Sequence, residues 1–431
     1  MDLSADLSAK TVSPPPESAT PGGGLRRGNR SRWVWWGLVA LLCCAPWGGY
    51  RGWRWYQTRW FREQCLSARE TQDWHAERNF AKRWTGWDPA AGRAWWYAAE
   101  AAQELDDLED MAFCLGNVPP SDPKVLFAQI EKANLEWTAL NRPLQALETS
   151  QRVIARDPRI TEIQSRLISF YAMNLQRASM LNAIRAAIDA GAEPKESYAY
   201  LILADLLSFS NGTSLNSRWL TAAPDEPRFK IGLAVHTSMG FAQNVDTTGT
   251  ADAAEIDRQA MQQIQWFLDQ NSHDPVLLTF MMYRAYQAGD VNRVGELLKQ
   301  VDETIVDDHM IWVYRCWYHV AFDDFQEAEA AVREALRLHP LSPLAHHEYA
   351  KLLRKLLRPE TEVEARQKLA AAGRELRTRL LALSSALDAT PEIVELIALY
   401  AEECDDQQVA AALRNRLEAP ARHAPTGVPS R

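Results

Sequence analysis

The sequence predicts an all-α protein made of repeated helix pairs, and three observations lead to that prediction. Ala, Leu, Glu and Arg are abundant whereas Gly is scarce, at 20 of 431 residues, which favours helix over sheet. Pro89, Pro123 and Pro158 recur at a nearly constant spacing, each directly after an aspartate. Residues 309–340 place small side chains where two antiparallel helices would touch. Together these features indicate one helical unit repeated at a fixed period.

The charge is distributed unevenly along the chain. Residues 1–62 hold nine Lys/Arg against three Asp/Glu, a net charge of +6, so the rest carries −15 of the total of −9. An acidic body argues against general nucleic-acid binding, because such binding needs a basic face that replaces counterions on phosphate. We therefore expect no nucleic-acid partner, and we look for another role for the basic N-terminal part.

An uncharged segment follows a basic tail at the N-terminus. Residues 1–32 contain three prolines at 14–16 and three glycines at 22–24, and they predict a disordered tail. Residues 33–50, WVWWGLVALLCCAPWGGY, carry no charge. At about 1.5 Å rise per residue they reach roughly 27 Å as a helix, enough to cross a bilayer. Aromatic residues at both ends match the two membrane interfaces, and they are Trp33, Trp35 and Trp36 before, with Trp47, Tyr50, Trp53 and Trp55 after.

Two alternatives compete with a transmembrane helix. A cleaved signal peptide would need small residues before its cleavage site, but Ala45 is followed by Pro46, which is unfavourable there. A buried core helix fits poorly with the flanking arginines and the preceding tail. Four arginines lie on each side of the span, so the positive-inside rule gives a near tie. Because clustered tail arginines are costly to translocate, we predict a single-pass anchor with a cytoplasmic tail and an extracytoplasmic, periplasmic repeat domain.

The clearest repeat unit runs from His309 to Pro340. Within it, small residues at positions 8, 20 and 27 let two helices approach closely, bulky residues fill the gaps between them, and a proline ends the second helix. The residues that carry this pattern are Trp312, Cys316, Phe325, Ala328, Ala335 and Pro340, at positions 4, 8, 17, 20, 27 and 32. The unit resembles the tetratricopeptide repeat, and the resemblance implies a solenoid of stacked helix pairs.

Fainter copies and breaks in the pattern divide the chain. Prolines and glycine-containing polar runs interrupt the period after residue 205 and before residue 256. Two periodic stretches after Pro359, Glu360–Leu387 and Pro391–Leu417, predict long closing helices. The predicted organisation is a disordered basic tail at 1–32, a transmembrane helix at 33–50, N-terminal helical repeats at 51–205, an irregular insertion or divergent repeat at 206–255, C-terminal helical repeats at 256–358, closing helices at 359–418 and a frayed tail at 419–431.

No enzyme signature is present in the sequence. It contains no phosphate-binding glycine loop between strand and helix, no HExxH pair and no GxSxG motif. The one local histidine cluster, His346-His347-Glu348, cannot chelate a metal through both histidines, because neighbouring helical residues point to different sides. We therefore expect no catalytic residue, no cofactor and no metal, and we identify no small-molecule substrate.

The resemblance implies a partner-binding groove lined by helix positions 2, 5, 9, 12 and 13. In the best unit these are Met310, Val313, Trp317, Val320 and Ala321, and in a next unit starting at Pro343 they are Leu344, His347, Lys351, Arg354 and Lys355. The groove would run from apolar to basic and suit a peptide with a hydrophobic anchor and an acidic end. The candidate contact residues are Trp317, His347, Lys351, Arg354 and Lys355. Alternatively, Trp317 belongs to the core and the basic residues form a solvated face.

Two functions fit these observations. The first is a membrane-anchored adaptor that binds a protein or peptide through the groove and has no enzymatic activity. The alternative is a structural subunit of a bacterial envelope export, polysaccharide or assembly complex, in which the repeats pack against fixed neighbours.

Overall fold

The computed structural model describes residues 30–243, 250–302 and 305–422, of which 30–49, 240–243, 250–254, 256 and 419–422 are described by backbone alone. Every regular element in these ranges is helical. A short 3-10 helix, Ala386–Asp388, precedes the last two α-helices. The α-helices are α1 (Arg30–Glu70), α2 (Trp74–Trp87), α3 (Gly92–Glu104), α4 (Leu108–Gly116), α5 (Val125–Trp137), α6 (Pro143–Arg156), α7 (Thr161–Met173), α8 (Arg177–Asp189), α9 (Ser197–Ile202), α10 (Gly212–Ala222), α11 (Pro227–Gln243), α12 (Thr250–Gln270), α13 (Pro275–Ala288), α14 (Val291–Leu298), α15 (His309–Ala321), α16 (Phe325–Leu338), α17 (Pro343–Lys355), α18 (Glu360–Leu381), α19 (Pro391–Glu403) and α20 (Gln407–Arg422).

The helices form pairs joined by turns of one recurring backbone conformation. Each of eight turns contains a residue with positive φ, and the residues are Gln72, Asp106, Asn141, Leu175, Gly289, Asp323, Leu357 and Asp405. From Gln72 to Leu175, and again from Gly289 to Leu357, these residues follow one another at the same period as the prolines of the sequence pattern. The same helix pair thus recurs well outside residues 309–340, and the prediction of an all-α helical repeat is confirmed.

A second periodic feature fixes how each pair follows the previous one. The fourth residue of a pair's first helix donates a side-chain hydrogen bond to the carbonyl six residues earlier, in the preceding loop. The bonds are Trp95 to Pro89 (2.9 Å), Gln164 to Pro158 (3.0 Å), Trp312 to Val306 (2.9 Å) and His346 to Pro340 (2.8 Å). Tryptophan, glutamine and histidine all carry an N–H that can make this bond, so the position tolerates different residue types.

The C-terminal helices pack back onto the middle of the chain. One apolar cluster combines buried residues of α5–α11 with buried residues of α18–α20. Polar contacts join the same elements: Arg185 of α8 donates to Asp406 at 2.6 Å, and Gln408 of α20 donates to the Arg185 carbonyl at 3.2 Å. The closing helices therefore cover α8 and α9 as well as the end of the array.

The structure adds detail in two segments that the sequence pattern described only broadly. Residues 206–255 contain α10 and α11, which pack on each other, so most of this segment is helical although prolines and glycines interrupt its periodicity. After Pro359 there are three α-helices instead of two, because α18 ends at Leu381 and the chain reverses again at Asp405. The turn at Asp405 contains no Pro or Gly, and this left it unrecognised in the sequence.

The N-terminal predictions fall mostly outside these described parts. Residues 1–29 of the predicted tail and 423–431 of the predicted frayed end are not among the described residues. The backbone of residues 33–50 is helical and forms the first part of α1. Within the described ranges, no helix combines the length and the apolar character that crossing a membrane requires.

The contact between α15 and α16 gives a test of the repeat packing. Ala328 is fully buried against Cys316, Val332 and Leu352. We expect Ala328→Leu to lower the free energy of unfolding by about 1–3 kcal/mol, because the added atoms overfill this contact. Urea denaturation followed by circular dichroism measures the change. Ala330→Leu on the exposed side of α16 is the matched control, and equal stability of the two variants would contradict the packing described.

Candidate functional site

A groove opens between α15 and α17, at the place where the sequence predicted a partner site. It has a volume of about 680 Å³. Its lining combines apolar residues on the α15 side with charged residues on the α17 side. The lining residues, which define the groove below, are Val291, Trp317, Val320, Ala321, Asp323, Glu348, Lys351, Arg354 and Lys355.

The apolar wall continues from the core of the C-terminal repeats. Val313 and Tyr314 of α15 are fully buried, and one turn further Trp317 reaches the surface and is only half-buried. The Trp317 ring meets the Tyr286 ring of α13 edge-on, with 5.1 Å between ring centroids. Trp317 is thus held in place by the core on one side and exposes its other side to the groove.

A buried carboxylate organises the basic wall. The Glu348 side chain is inaccessible to solvent, and its Oε1 accepts hydrogen bonds from the Tyr286 hydroxyl at 2.7 Å and from Lys351 Nζ at 2.9 Å. Burial, together with the charge of Glu348, raises the pKa of Tyr286, so the phenol stays protonated. Because Lys351 is paired with Glu348, its charge is largely neutralised within the protein. Arg354 and Lys355 are exposed and form no ion pair among the described residues, so they face the groove as cations.

Four of the five predicted contact residues line the groove: Trp317, Lys351, Arg354 and Lys355. His347 does not. It lies half-buried one helical turn before Lys351, and burial lowers its pKa, so it is neutral at pH 7. The role of all five residues in partner binding stays a prediction.

Three further positions that the resemblance assigned to the groove are not in its lining. Met310 and Val313 are buried in the core, because α13 and α17 pack against this end of α15, and Leu344 is partly buried against the same core. Glu348, in contrast, was not expected in the lining. Its spacing of three residues before Lys351 is the signal that could have indicated it.

A separate buried cluster contains residues of the types that bind metals. Asp205 follows α9, His309 begins α15, and His339 follows α16, and one potential ligand atom from each lies within 4.8 Å of the others. His309 Nε2 and Asp205 Oδ1 are 2.8 Å apart. The two imidazole rings meet edge-on, with centroids 4.7 Å apart. We call these three residues the Asp–His–His cluster.

The polar groups of this cluster are incompletely paired. Asp205 Oδ2 accepts from the Ser342 hydroxyl at 3.0 Å and from the Leu344 amide at 3.3 Å. Nδ1 of His309 has no hydrogen-bond partner among the described residues, and neither ring nitrogen of His339 makes a hydrogen bond of normal geometry, although the Leu201 backbone lies near this ring. Each buried polar group left unpaired costs about 1–3 kcal/mol. Burial, reinforced by His309, lowers the pKa of His339, so its ring is neutral.

Sequence reasoning missed this cluster. Asp205 and His309 are 104 residues apart, and His339 lies at the opposite end of the helix pair that His309 begins. No local spacing therefore relates the three residues. They come together only because the α15–α16 pair packs against the segment that follows α9.

Comparison with known proteins agrees with the helix-pair geometry. Residues 309–352 match the family model of the tetratricopeptide repeat. The match covers α15, α16 and most of α17, which are one part of the helix-pair solenoid described above. No curated protein matches it.

Several solved structures are similar to the solenoid over most of its length. A tetratricopeptide repeat protein from Parabacteroides merdae is 12% identical, over 69% of this chain and 98% of that chain, with a TM-score of 0.25. The APC/C hetero-tetramer Cut9-Hcn1 is 9% identical over 85% and 87%, with a TM-score of 0.32. Yeast Tom70 is 10% identical over 85% and 88%, with a TM-score of 0.26.

Proposed function

We propose that this protein is a membrane-tethered scaffold that binds a protein or peptide partner in the groove and catalyses no reaction. The observation that carries the proposal is that one groove contains the accessible side of Trp317 together with two exposed cations, Arg354 and Lys355. Tryptophan and arginine are the residues that most often dominate binding energy at protein interfaces. A helical-repeat fold offers such a concave surface without a catalytic centre.

The groove chemistry defines the partner. An apolar side chain of the partner would contact Trp317 and Val320, and acidic residues next to it would face Arg354 and Lys355. The lining holds three basic and two acidic residues, a net charge of +1, on a chain whose residues 63–431 carry −15. The groove is therefore a local exception on an acidic surface, and it favours an acidic, amphipathic segment over a basic one.

The membrane anchor is proposed from the uncharged run at 33–50, together with the helix that continues it. Tyr50, Trp53, Trp55 and Tyr56 of α1 are each more than half exposed. Exposed aromatic residues in such number are unusual on a soluble surface but common where a helix leaves a bilayer. Further along the same helix, Cys65 is fully buried against the first repeat. In our proposal, one helix thus connects the bilayer to the repeats without a flexible linker.

Charge reversal at the basic wall tests partner binding. We expect Arg354→Glu with Lys355→Glu to weaken partner capture on the order of tenfold, because an acidic partner would then meet like charges. Lys351 is kept, since its removal would leave Glu348 buried without its cation. The measurement is photo-crosslinking from residue 321 of the full chain in native membranes at low salt, where charge effects are largest.

The matched control is Arg337→Glu with Arg379→Glu, which makes the same charge change on exposed parts of α16 and α18. Unchanged crosslinking in the groove variant would show that Arg354 and Lys355 do not bind the partner and only form a solvated face. Crosslinks to several proteins in a fixed ratio would favour the alternative, a structural subunit of an envelope assembly.

Topology is tested separately. We propose that the tail before the anchor is cytoplasmic and that the solenoid is periplasmic. Alkaline phosphatase fused after Arg431 is then active in a bacterial host, because this enzyme requires an oxidising compartment to form its disulfides. A fluorescent protein that folds only in the cytoplasm serves as the reciprocal reporter at the same position, and fluorescence there would reverse the assignment.

A further inference from the structure

We propose that the Asp–His–His cluster is a structural site for a divalent transition metal of the zinc class. The three residues come from three separate places in the solenoid: the segment after α9, the first residue of α15 and the residue after α16. A metal held by all three would fasten the middle of the array to the helix pair that forms one wall of the groove. The inference does not depend on the proposed binding function.

The donor set fits zinc. Two imidazoles and one carboxylate would supply three of the four ligands of a tetrahedral zinc, with bonds of about 2.0–2.1 Å, and a water would complete the set. Such a site places neighbouring ligand atoms about 3.3 Å apart. Asp205 Oδ1 and His309 Nε2 are already 2.8 Å apart, and the whole set lies within 4.8 Å. Small side-chain rotations would therefore close the site around an ion, without a change of backbone.

The unpaired ring nitrogens point to a ligand. His339 is 1% exposed and His309 is completely buried, yet three of their four ring nitrogens make no hydrogen bond of normal geometry among the described residues, although the Leu201 backbone lies near the His339 ring. Buried polar atoms in folded proteins nearly always have a partner. A metal ion would bind one nitrogen of each ring, Nε2 in His309, and would thereby satisfy one of the two His339 nitrogens that the protein leaves unpaired.

The surrounding charges also favour a cation. Asp205 is a buried carboxylate that forms no ion pair with Lys or Arg in the described parts of the chain. The nearby buried arginine, Arg177, is already paired with Asp308 at 2.7 Å. Because Ser342 and the Leu344 amide hold Asp205 Oδ2, the other carboxylate oxygen remains directed at His309. This is how hydrogen-bonded neighbours typically orient a metal-binding carboxylate.

The site would be structural. All three side chains are shielded from solvent, so a substrate has no access to the ion. The ion would instead link residues that are 104 and 30 positions apart in the sequence. Since binding to the folded state alone stabilises that state, bound metal should raise the melting temperature.

The test uses the full chain in detergent, purified without chelator and through a tag that contains no histidine. We expect one zinc per chain by mass spectrometry of the metal. After chelation and reloading with Co²⁺ alone, we expect visible absorption bands of cobalt in a nitrogen and oxygen site. His339→Gln and Asp205→Asn should each weaken zinc binding more than about tenfold, since the loss of even an outer-shell partner costs a metal site about 10- to 100-fold.

The matched control is His236→Gln. His236 is as buried as His339, but it lies outside the cluster and already bonds the Met173 carbonyl at 2.9 Å. Zinc binding that is equal in this control and in the two cluster variants would overturn the proposal. If the cluster variants fail to fold, the wild-type protein decides: a melting temperature that is unchanged by chelation, together with no uptake of Zn²⁺ or Co²⁺, rejects the site.

Discussion

Replacing Arg177 with Met is expected to lower the free energy of unfolding by about 3–5 kcal/mol, the cost of leaving a buried charge without its partner. The Arg177 and Asp308 side chains are 4% and 9% exposed, and Arg177 donates to both carboxylate oxygens, at 3.0 and 2.7 Å. It also donates to the Ala204 carbonyl at 2.7 Å. The pair joins α8 to the start of α15 across 131 residues of sequence. Urea denaturation measures the loss.

Two further variants separate this effect from a general loss of charge. Arg159→Met removes an exposed pair with Asp157 and should change the stability little, because solvent screens such a pair. Arg177→Met combined with Asp308→Asn should recover part of the lost stability, because the unpaired charge is removed while asparagine still caps α15. A single Arg177→Met variant as stable as Arg159→Met would show that the pair is not buried as described.

Acidification from pH 7.5 to pH 5 is expected to destabilise the protein by about 2 kcal/mol through His346 alone, because protons bind the unfolded chain in preference to the folded one. Burial, reinforced by Arg366, lowers the pKa of His346 to about 4, against an ordinary value of 6.5. Below pH 6.5 the unfolded chain binds a proton that the folded chain does not, so stability falls as pH falls toward 4. Each pH unit in this window costs about 1.4 kcal/mol. His236 and His339, whose pKa values are also lowered by burial, act in the same direction.

Urea denaturation at pH 7.5 and pH 5.0 measures this dependence. His346→Gln keeps a side-chain N–H that can bond the Pro340 carbonyl and does not titrate, so the difference between the two pH values should shrink by about 2 kcal/mol. His273→Gln, which removes an exposed imidazole, is the matched control. A wild-type protein with equal stability at both pH values would contradict the burial of these rings.

The parts of the fold that were predictable are those with local signatures. Trp312, Ala328 and Pro340 stand at fixed places in one helix pair, and their roles follow from nearby residues. The turns were less visible. Leu175 and Leu357 adopt positive φ, which leucine rarely does, so their residue type gives no sign of a turn. Leu175 is buried whereas Leu357 is 91% exposed, so the reversal between the two helices, and not burial of the side chain, goes with this conformation. A pattern of single residues cannot reveal it.

In the groove, too, some residues were predictable from local sequence signatures and others were not. Trp317, Arg354 and Lys355 follow from their positions in the repeat, and the structure brings them together. Glu348, which pairs with Lys351, also accepts a hydrogen bond from the Tyr286 hydroxyl. Tyr286 belongs to α13 and therefore to an earlier helix pair. The residues of the Asp–His–His cluster are even further apart in the sequence. The sequence pattern does not predict contacts between repeats, because these contacts depend on how the helix pairs stack.

The docking of the C-terminal helices on α8 sets the order in which the protein can fold during synthesis. Arg185 meets Asp406 only after 221 further residues have been made. Until then α8 and α9 expose the apolar surface that α18–α20 later cover. Nascent chains with such late-closing contacts are prone to aggregation, and domains that close early are less exposed to it. A ribosome that stops before codon 406 therefore releases a chain with an uncovered central face, which quality-control proteases and chaperones can recognise.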